Sequence, residues 1–207
     1  VIFLFFREIT LTLLYSAFQA CFNFCGMKKI KVILAGLVLS LYAGDGFAQE
    51  KTNNIEGKKV ASVEIRDDRN NPLMLPRLGE TNLLIFYVDP DHAGQNKEFM
   101  DYLEQHSILC STIDSYGVVN LEDAPLLPNG IIRSIVRKKS KSTGGVIYFD
   151  PDYSLRDGWG MGDVNNKFIL IFVNKDCVVE FFRYGDFTEK DITDFYKVVD
   201  KYYTKDE

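Results

Sequence analysis

The chain is poor in the groups on which most enzyme chemistry is built. Of its 207 residues only four are Cys, two His, one Trp and six Pro. Two of the cysteines, Cys21 and Cys25, lie in an apolar N-terminal stretch, which leaves Cys110 and Cys177 for the body of the chain. Dithiol exchange needs a thiolate of lowered pKa at a helix N-terminus and a resolving thiol beside it. The turn after the apolar run 83–88, Asp89-Pro90-Asp91-His92, has no thiol, and no proline follows Pro151. Nor is there a Ser/His/Asp spacing, a nucleophile elbow, a phosphate-cradling Gly loop or a zinc ligand set. Gly158-Trp159-Gly160-Met161-Gly162 is glycine-rich but follows a strand end, and reads as a mobile loop with one aromatic anchor.

What is present begins with a leader. Met27 opens a segment with Lys28, Lys29 and Lys31, followed by an apolar run over 32–43 and the small-x-small sequence Gly46-Phe47-Ala48. This is the layout of a secretory signal peptide cleaved before Gln49. The apolar run is too short for a transmembrane helix of about 20 residues, which argues against a retained anchor. No Cys stands at its end to carry a lipid. Residues 1–26 begin with Val and precede a good start at Met27, as an over-extended reading frame would. The expected organisation is therefore 1–26 untranslated, 27–48 signal peptide and 49–207 one domain of ordinary size.

Residues 1–48 hold four Lys/Arg and two Asp/Glu, so 20 basic and 27 acidic residues remain, a net charge of −7. Nucleic acids and anionic membranes reward a basic face, and this balance argues against both as partners. The one basic run, 133–141 with Arg133, Arg137, Lys138, Lys139 and Lys141, reads as the solvated face of a helix rather than a docking patch.

The segment 49–59 is polar and expected to fray, and 67–78 is expected to be loop. Period-two alternation predicts a half-buried strand over 60–66. The unbroken run Leu83-Leu84-Ile85-Phe86-Tyr87-Val88 predicts a central strand buried on both faces. A helix over 93–106 places Phe99, Leu103 and His106 on one face, with His106 expected to be partly buried. A strand over 116–121, a helix over 130–140 with Ile131, Ile132, Ile135 and Val136 inward, and a strand over 145–149 follow. A hairpin of 168–173 and 178–182 turns at Asn174-Lys175-Asp176-Cys177. The last helix carries a capping box at Thr188 and Asp191, flanked by a staple of Phe187 and Ile192. Strands alternating with helices imply an α/β domain with a mixed sheet.

Four stretches carry a resemblance: 118–124 (Val-Val-Asn-Leu-Glu-Asp-Ala), Ile132-Arg133-Ser134, 147–159 from Ile147-Tyr148-Phe149-Asp150 to Trp159, and 168–185 with Thr188-Glu189-Lys190. In their order and spacing the chain resembles the thioredoxin-like superfamily in its extended peroxiredoxin and thiol-reductase layout. Within that superfamily it is similar to the YtfJ-like family of periplasmic proteins of unassigned function. The resemblance covers most of 80–203 and departs at Cys177, where the family's turn has Asp-Gly. It implies a thioredoxin-like three-layer sandwich, a mixed central β-sheet flanked by helices, in a periplasmic protein. It transfers no catalytic residues. The redox members have a cis-proline before the hairpin strand, whereas this chain has Val164-Asn165-Asn166-Lys167; a peroxidatic Cys in the first helix is also missing. The family's sheet order would separate Cys110 and Cys177 by about 10–14 Å, at roughly 4.8 Å per strand. A disulfide needs Cα atoms within about 7 Å, so two unpaired thiols are expected.

The remaining polar cluster is acidic. Strand ends at Asp89-Pro90-Asp91-His92, Asn120-Leu121-Glu122-Asp123 and Asp150-Pro151-Asp152 would share one rim, where sheets of this kind present ligand groups. With Trp159, the residues Asp89, Asp91, His92, Asn120, Glu122, Asp123 and Asp150 form the expected ligand-binding rim. A hard cation held by Asp89, Asp123 and Asp150 is one reading of such carboxylates. Turn chemistry, in which Asp caps neighbouring amides, is the favoured one. His92 beside Asp89 or Asp91 is a candidate general base and Cys110 a candidate single thiol. The functional expectation is an exported, periplasmic, non-redox binding or scaffolding module with no cofactor and a protein or small-molecule partner. The alternative is an atypical single-thiol or metal-assisted enzyme.

Overall fold

The computed structural model describes residues 51–123, 128–143 and 145–204, the side chains of 139 and 141–143 excepted; the expected leader and residues 1–26 lie outside them. Seven strands form one mixed sheet: β1 (Glu64–Arg66), β2 (Pro72–Met74), β3 (Asn82–Val88), β4 (Ile113–Asn120), β5 (Ile147–Asp150), β6 (Phe168–Val173) and β7 (Val179–Tyr184). Their order is β2-β1-β5-β4-β3-β6-β7. β3, β4 and β5 run parallel; the β1–β2, β1–β5, β3–β6 and β6–β7 pairs are antiparallel. Every residue of β3 and β6 is buried, which explains why both read as unbroken apolar runs.

Alternate residues of β3 feed two cores. Leu84, Phe86 and Val88 pack with α1 (Lys97–Gln105), α2 (Asn129–Thr143) and α4 (Glu189–Val199), through Phe99, Ile132, Val136 and Phe195. Leu83, Ile85 and Tyr87 pack on the other face with α3 (Ser154–Trp159) and with Ile55, Val60 and Met161. The result is helices, sheet, then helix and N-terminal segment in three layers. Among the described residues no helix is long and apolar enough to cross a membrane.

Several expectations are corrected. The described part of the expected frayed segment, 51–59, is a strap. At its far end Thr52 bridges to Gly162, and the Asn53 amide donates to the Met161 carbonyl (2.7 Å). Nearer the sheet, amides and carbonyls of 57–60 bond Val179 and Cys177, so the strap closes the outer edge of β7. Buried Ile55 and Val60 complete the anchoring that polar composition concealed. Only 64–66 of the first expected strand forms one, and it pairs with β2, which lies inside the expected loop 67–78. Pro72 on that outermost strand limits further pairing there.

The first helix starts at Lys97 rather than residue 93, because Asn96 takes a left-handed conformation (φ 58°). The Asn96 side chain donates to the Gly185 carbonyl (2.8 Å) and accepts from the Phe187 amide (2.7 Å). His106 is exposed at that helix's end and stacked on Tyr102, not partly buried. Ile131 faces solvent, whereas Ile132 and Val136 are inward. The glycine-rich stretch 158–162, expected as a mobile loop, begins within α3, whose last two residues are Gly158 and Trp159 and which Gly160 ends with φ 70°. The capping box of α4 forms as expected, with the Thr188 and Asp191 side chains each accepting from the other's amide.

Candidate functional site

The three parallel strands end in one polar row. Asn120 and Asp150 are register partners, and Val88 lies opposite Val119, which puts Asp89 next to Asn120. All three are sealed from solvent, at 1 % exposure for Asp89 and 0 % for Asn120 and Asp150. A buried carboxyl must be bonded to be tolerated, and the donors are visible here. Asp89 accepts from the Asp91 amide through Oδ1 (2.8 Å) and from the Asn166 amide through Oδ2 (2.7 Å). The first bond caps the short 3-10 turn Pro90–His92; the second ties that turn to the chain entering β6. Asn120 accepts from the Glu122 amide (3.2 Å) and donates to Asp123, which also accepts from the Tyr153 hydroxyl.

Asp150 gathers its donors on one oxygen. Oδ2 accepts from the Tyr87 hydroxyl (2.9 Å) and from the Leu155 and Arg156 amides (3.1 and 3.4 Å), the opening of α3. Oδ1 has no partner. Burial pushes the carboxyls of Asp89 and Asp150 up despite their donors, and it pushes the Tyr87 phenol far above its usual range. Arg156 lies over the Tyr153 ring, 3.4 Å from its centroid, and pairs with Asp157.

The expected rim therefore separates into two kinds of residue. Asp89, Asn120 and Asp150 form its buried floor, while Asp91 and Glu122 are exposed and His92 and Asp123 partly so. Trp159 is corrected: it is fully buried in the second core, its Nε1 donating to the Ala61 carbonyl (2.9 Å), and offers nothing to a ligand. His92 ends the short 3-10 turn rather than opening α1. Its Nδ1 is enclosed without a hydrogen bond, 4.0 Å from Asp89 Oδ2, and its side chain is 34 % exposed. That separation is a contact, longer than a hydrogen bond. The metal candidates Asp89 and Asp123 already have their carboxylates engaged. Among the described residues no group of three His, Cys, Asp or Glu side chains is placed to hold a metal ion.

Sequence reasoning missed Tyr87, Tyr153 and Arg156. The signal for Tyr87 was present, as the one polar tip inside an otherwise aliphatic and phenyl run. Tyr153 and Arg156 depend on α3, which was not anticipated.

The two thiols lie at the opposite edge of the sheet and are free. Cys110 bridges to Ile113 at the start of β4, and its Sγ is 3.2 Å from Thr112 Oγ1. Burial raises its pKa, but hydrogen bonds with Thr112 and Thr204 outweigh this and lower the thiol overall. Cys177, in the β6–β7 turn, takes a left-handed conformation (φ 62°). This is the position where the resembling family has Gly, which adopts such angles without strain.

No family model and no curated protein matches the chain. Solved structures do. A candidate thioredoxin from Neisseria meningitidis superposes with a TM-score of 0.50 at 14% identity, over 70% of this chain and 92% of that one. A DsbF homologue from Corynebacterium diphtheriae superposes with a TM-score of 0.50 at 16% identity, over 77% of this chain and 97% of that one. Together with the seven-stranded mixed sheet and its two helical layers, these likenesses show that the chain has a thioredoxin-like fold.

Proposed function

We propose that this is an exported, periplasmic member of the YtfJ-like family that binds a protein or small ligand at the carboxyl edge of its sheet. In this reading it is a module without dithiol chemistry. The observation that carries the reading is the turn after β3. Where redox relatives place Cys-x-x-Cys, this chain has Asp89, whose carboxylate is spent on the Asp91 and Asn166 amides. Both thiols sit at the other end of the strands, away from that turn. Export is supported by the Lys-led apolar segment 28–43 and its small-x-small end. Asp91, His92 and Glu122 are the side chains offered to a ligand, above a floor of buried Asp89, Asn120 and Asp150.

One observation favours a second reading, a single-thiol redox protein. Hydrogen bonds with Thr112 and Thr204 lower the Cys110 thiol, and thiolate character is what makes cysteine reactive. A thiol count with and without reductant, alongside an insulin-reduction assay, separates the two. The binding reading expects two free thiols of ordinary reactivity and no turnover. Turnover that disappears in Cys110→Ser would replace it with the redox reading.

A further inference from the structure

Among the described residues Arg133 is a buried charge with no ion-pair partner. It is 7 % exposed, near the start of α2, with its guanidinium over the Phe149 ring at 4.7 Å from the centroid. It makes one hydrogen bond, from Nη1 to the Asp67 carbonyl (3.1 Å), and no carboxylate among the described residues pairs with it. The expected solvated basic face is therefore wrong at this position. Its basic neighbours are provided for: Arg137 pairs with Asp68, and Arg66 with Glu64. The Asp67 carboxylate is turned to the Arg69 and Asn71 amides and the Asn71 side chain.

Arg66 adds a second positive charge to the same place. It is the register partner of Phe149 across the β1–β5 pair. Directly opposed residues of an antiparallel pair share a face, so Arg66 and Arg133 stand over the same side of the sheet around one ring. A buried guanidinium left uncompensated is costly, and a like charge beside it adds to the cost. Burial and the Arg66 charge depress the Arg133 pKa, and the nearby Asp67 charge offsets them only in part. A guanidinium held by stacking, with its Nε and Nη2 unused by protein, presents the fork that grips oxyanions.

We infer that Arg133 and Arg66 form a binding site for one oxyanion, a phosphate or carboxylate group, between β1 and α2. The site is separate from the Asp89–His92 rim and does not depend on it. The anion would take the unused edge of Arg133, which the Asp67 charge reaches only through space, while Arg66, paired with Glu64, adds its positive charge from the side.

The test is thermal melting of the purified protein in inorganic phosphate and, separately, in acetate, each against chloride at equal ionic strength. A tenfold excess over Kd should raise Tm by roughly 4 °C. Which anion does so distinguishes a phosphate site from a carboxylate site. Arg133→Met keeps the length and packing of the side chain and should abolish the shift. Arg137→Met, which removes a guanidinium already paired with Asp68, should retain it. No shift over chloride with either anion, or an equal shift in Arg133→Met, overturns the inference. Should Arg133→Met not fold, Arg66→Gln takes its place. A fivefold or greater loss of affinity supports the site, and an unchanged affinity overturns it.

Discussion

At the scale of single residues, the informative groups are carboxyls taken out of water. Burial raises the folded-state pKa of Asp150, with Tyr87 and the Leu155 and Arg156 amides only partly offsetting it. A carboxyl raised above its unfolded value of about 3.9 favours folding while protonated. Its contribution is complete below that value and is lost as pH rises through the folded pKa. Asp89 has the same sign. Asp150→Asn keeps an acceptor for Tyr87 and removes the titration. The Tm difference, variant minus wild type, should therefore grow as pH rises from about 4 to 7. A difference that stays constant across that range would show that Asp150 is not a raised carboxyl. Trp159→Ala belongs to the same scale. The indole is wholly buried and its Nε1 is bonded, so denaturant titration should show a loss of about 3–5 kcal/mol.

At the scale of elements, the strap over β7 is the clearest device of the fold. Its backbone occupies an edge that would otherwise present open donors and acceptors to another chain. Gly162 is the point where it can be loosened. Gly162 has φ +72°, and a Cβ there would lie 2.2 Å from the Lys51 carbonyl oxygen. Gly162→Ala should cost about 1–3 kcal/mol. Hydrogen exchange should speed at the Asn53 amide first, while the Gly57 and Val60 amides keep more of their protection. Equal protection in variant and wild type would mean that the strap does not depend on this contact. Thr188→Ala removes one half of the α4 capping box and should cost about 1 kcal/mol.

Some elements were legible in sequence and others were not, for identifiable reasons. β3 and β6 announced themselves because burial on both faces demands an unbroken apolar run. α4 did so because a capping box and a staple are local chemistry. The strap did not, because polar residues order it through backbone bonds to a distant strand, and Ile55 and Val60 are too far apart to form a pattern. α3 was hidden by its brevity and by Gly158 inside it. Trp159 was misread for the same reason, since an aromatic among glycines gives no sign of which face it will meet.

At the scale of the whole molecule, two cores share one sheet, and the strands between them hold the fold together. Phe86 and Phe168 are buried in the same core with ring centroids 6.3 Å apart. Alanine at either position should lower stability by about 3–5 kcal/mol, and a loss below about 1 kcal/mol at either would contradict its place in the core. The same sheet sets the functional geometry. Because β3, β4 and β5 are parallel and adjacent, three residues 30 or more positions apart in sequence become one row at the carboxyl edge. Because β6 runs antiparallel to β3, the hairpin turn carrying Cys177 is sent to the other edge.

The sequence by itself determined the fold class, the buried strands, the last helix and the lack of a thiol in the turn after β3. These follow from composition, local periodicity and near-neighbour capping, all written within a few residues of each other. Tertiary structure alone decided which members of the acidic rim are buried floor and which are exposed. It also decided that Trp159 belongs to the core, and that Arg133, on α2, has no carboxylate partner among the described residues. Burial and ion pairing depend on what other segments bring to a position, and that contribution comes from strands and loops far along the chain.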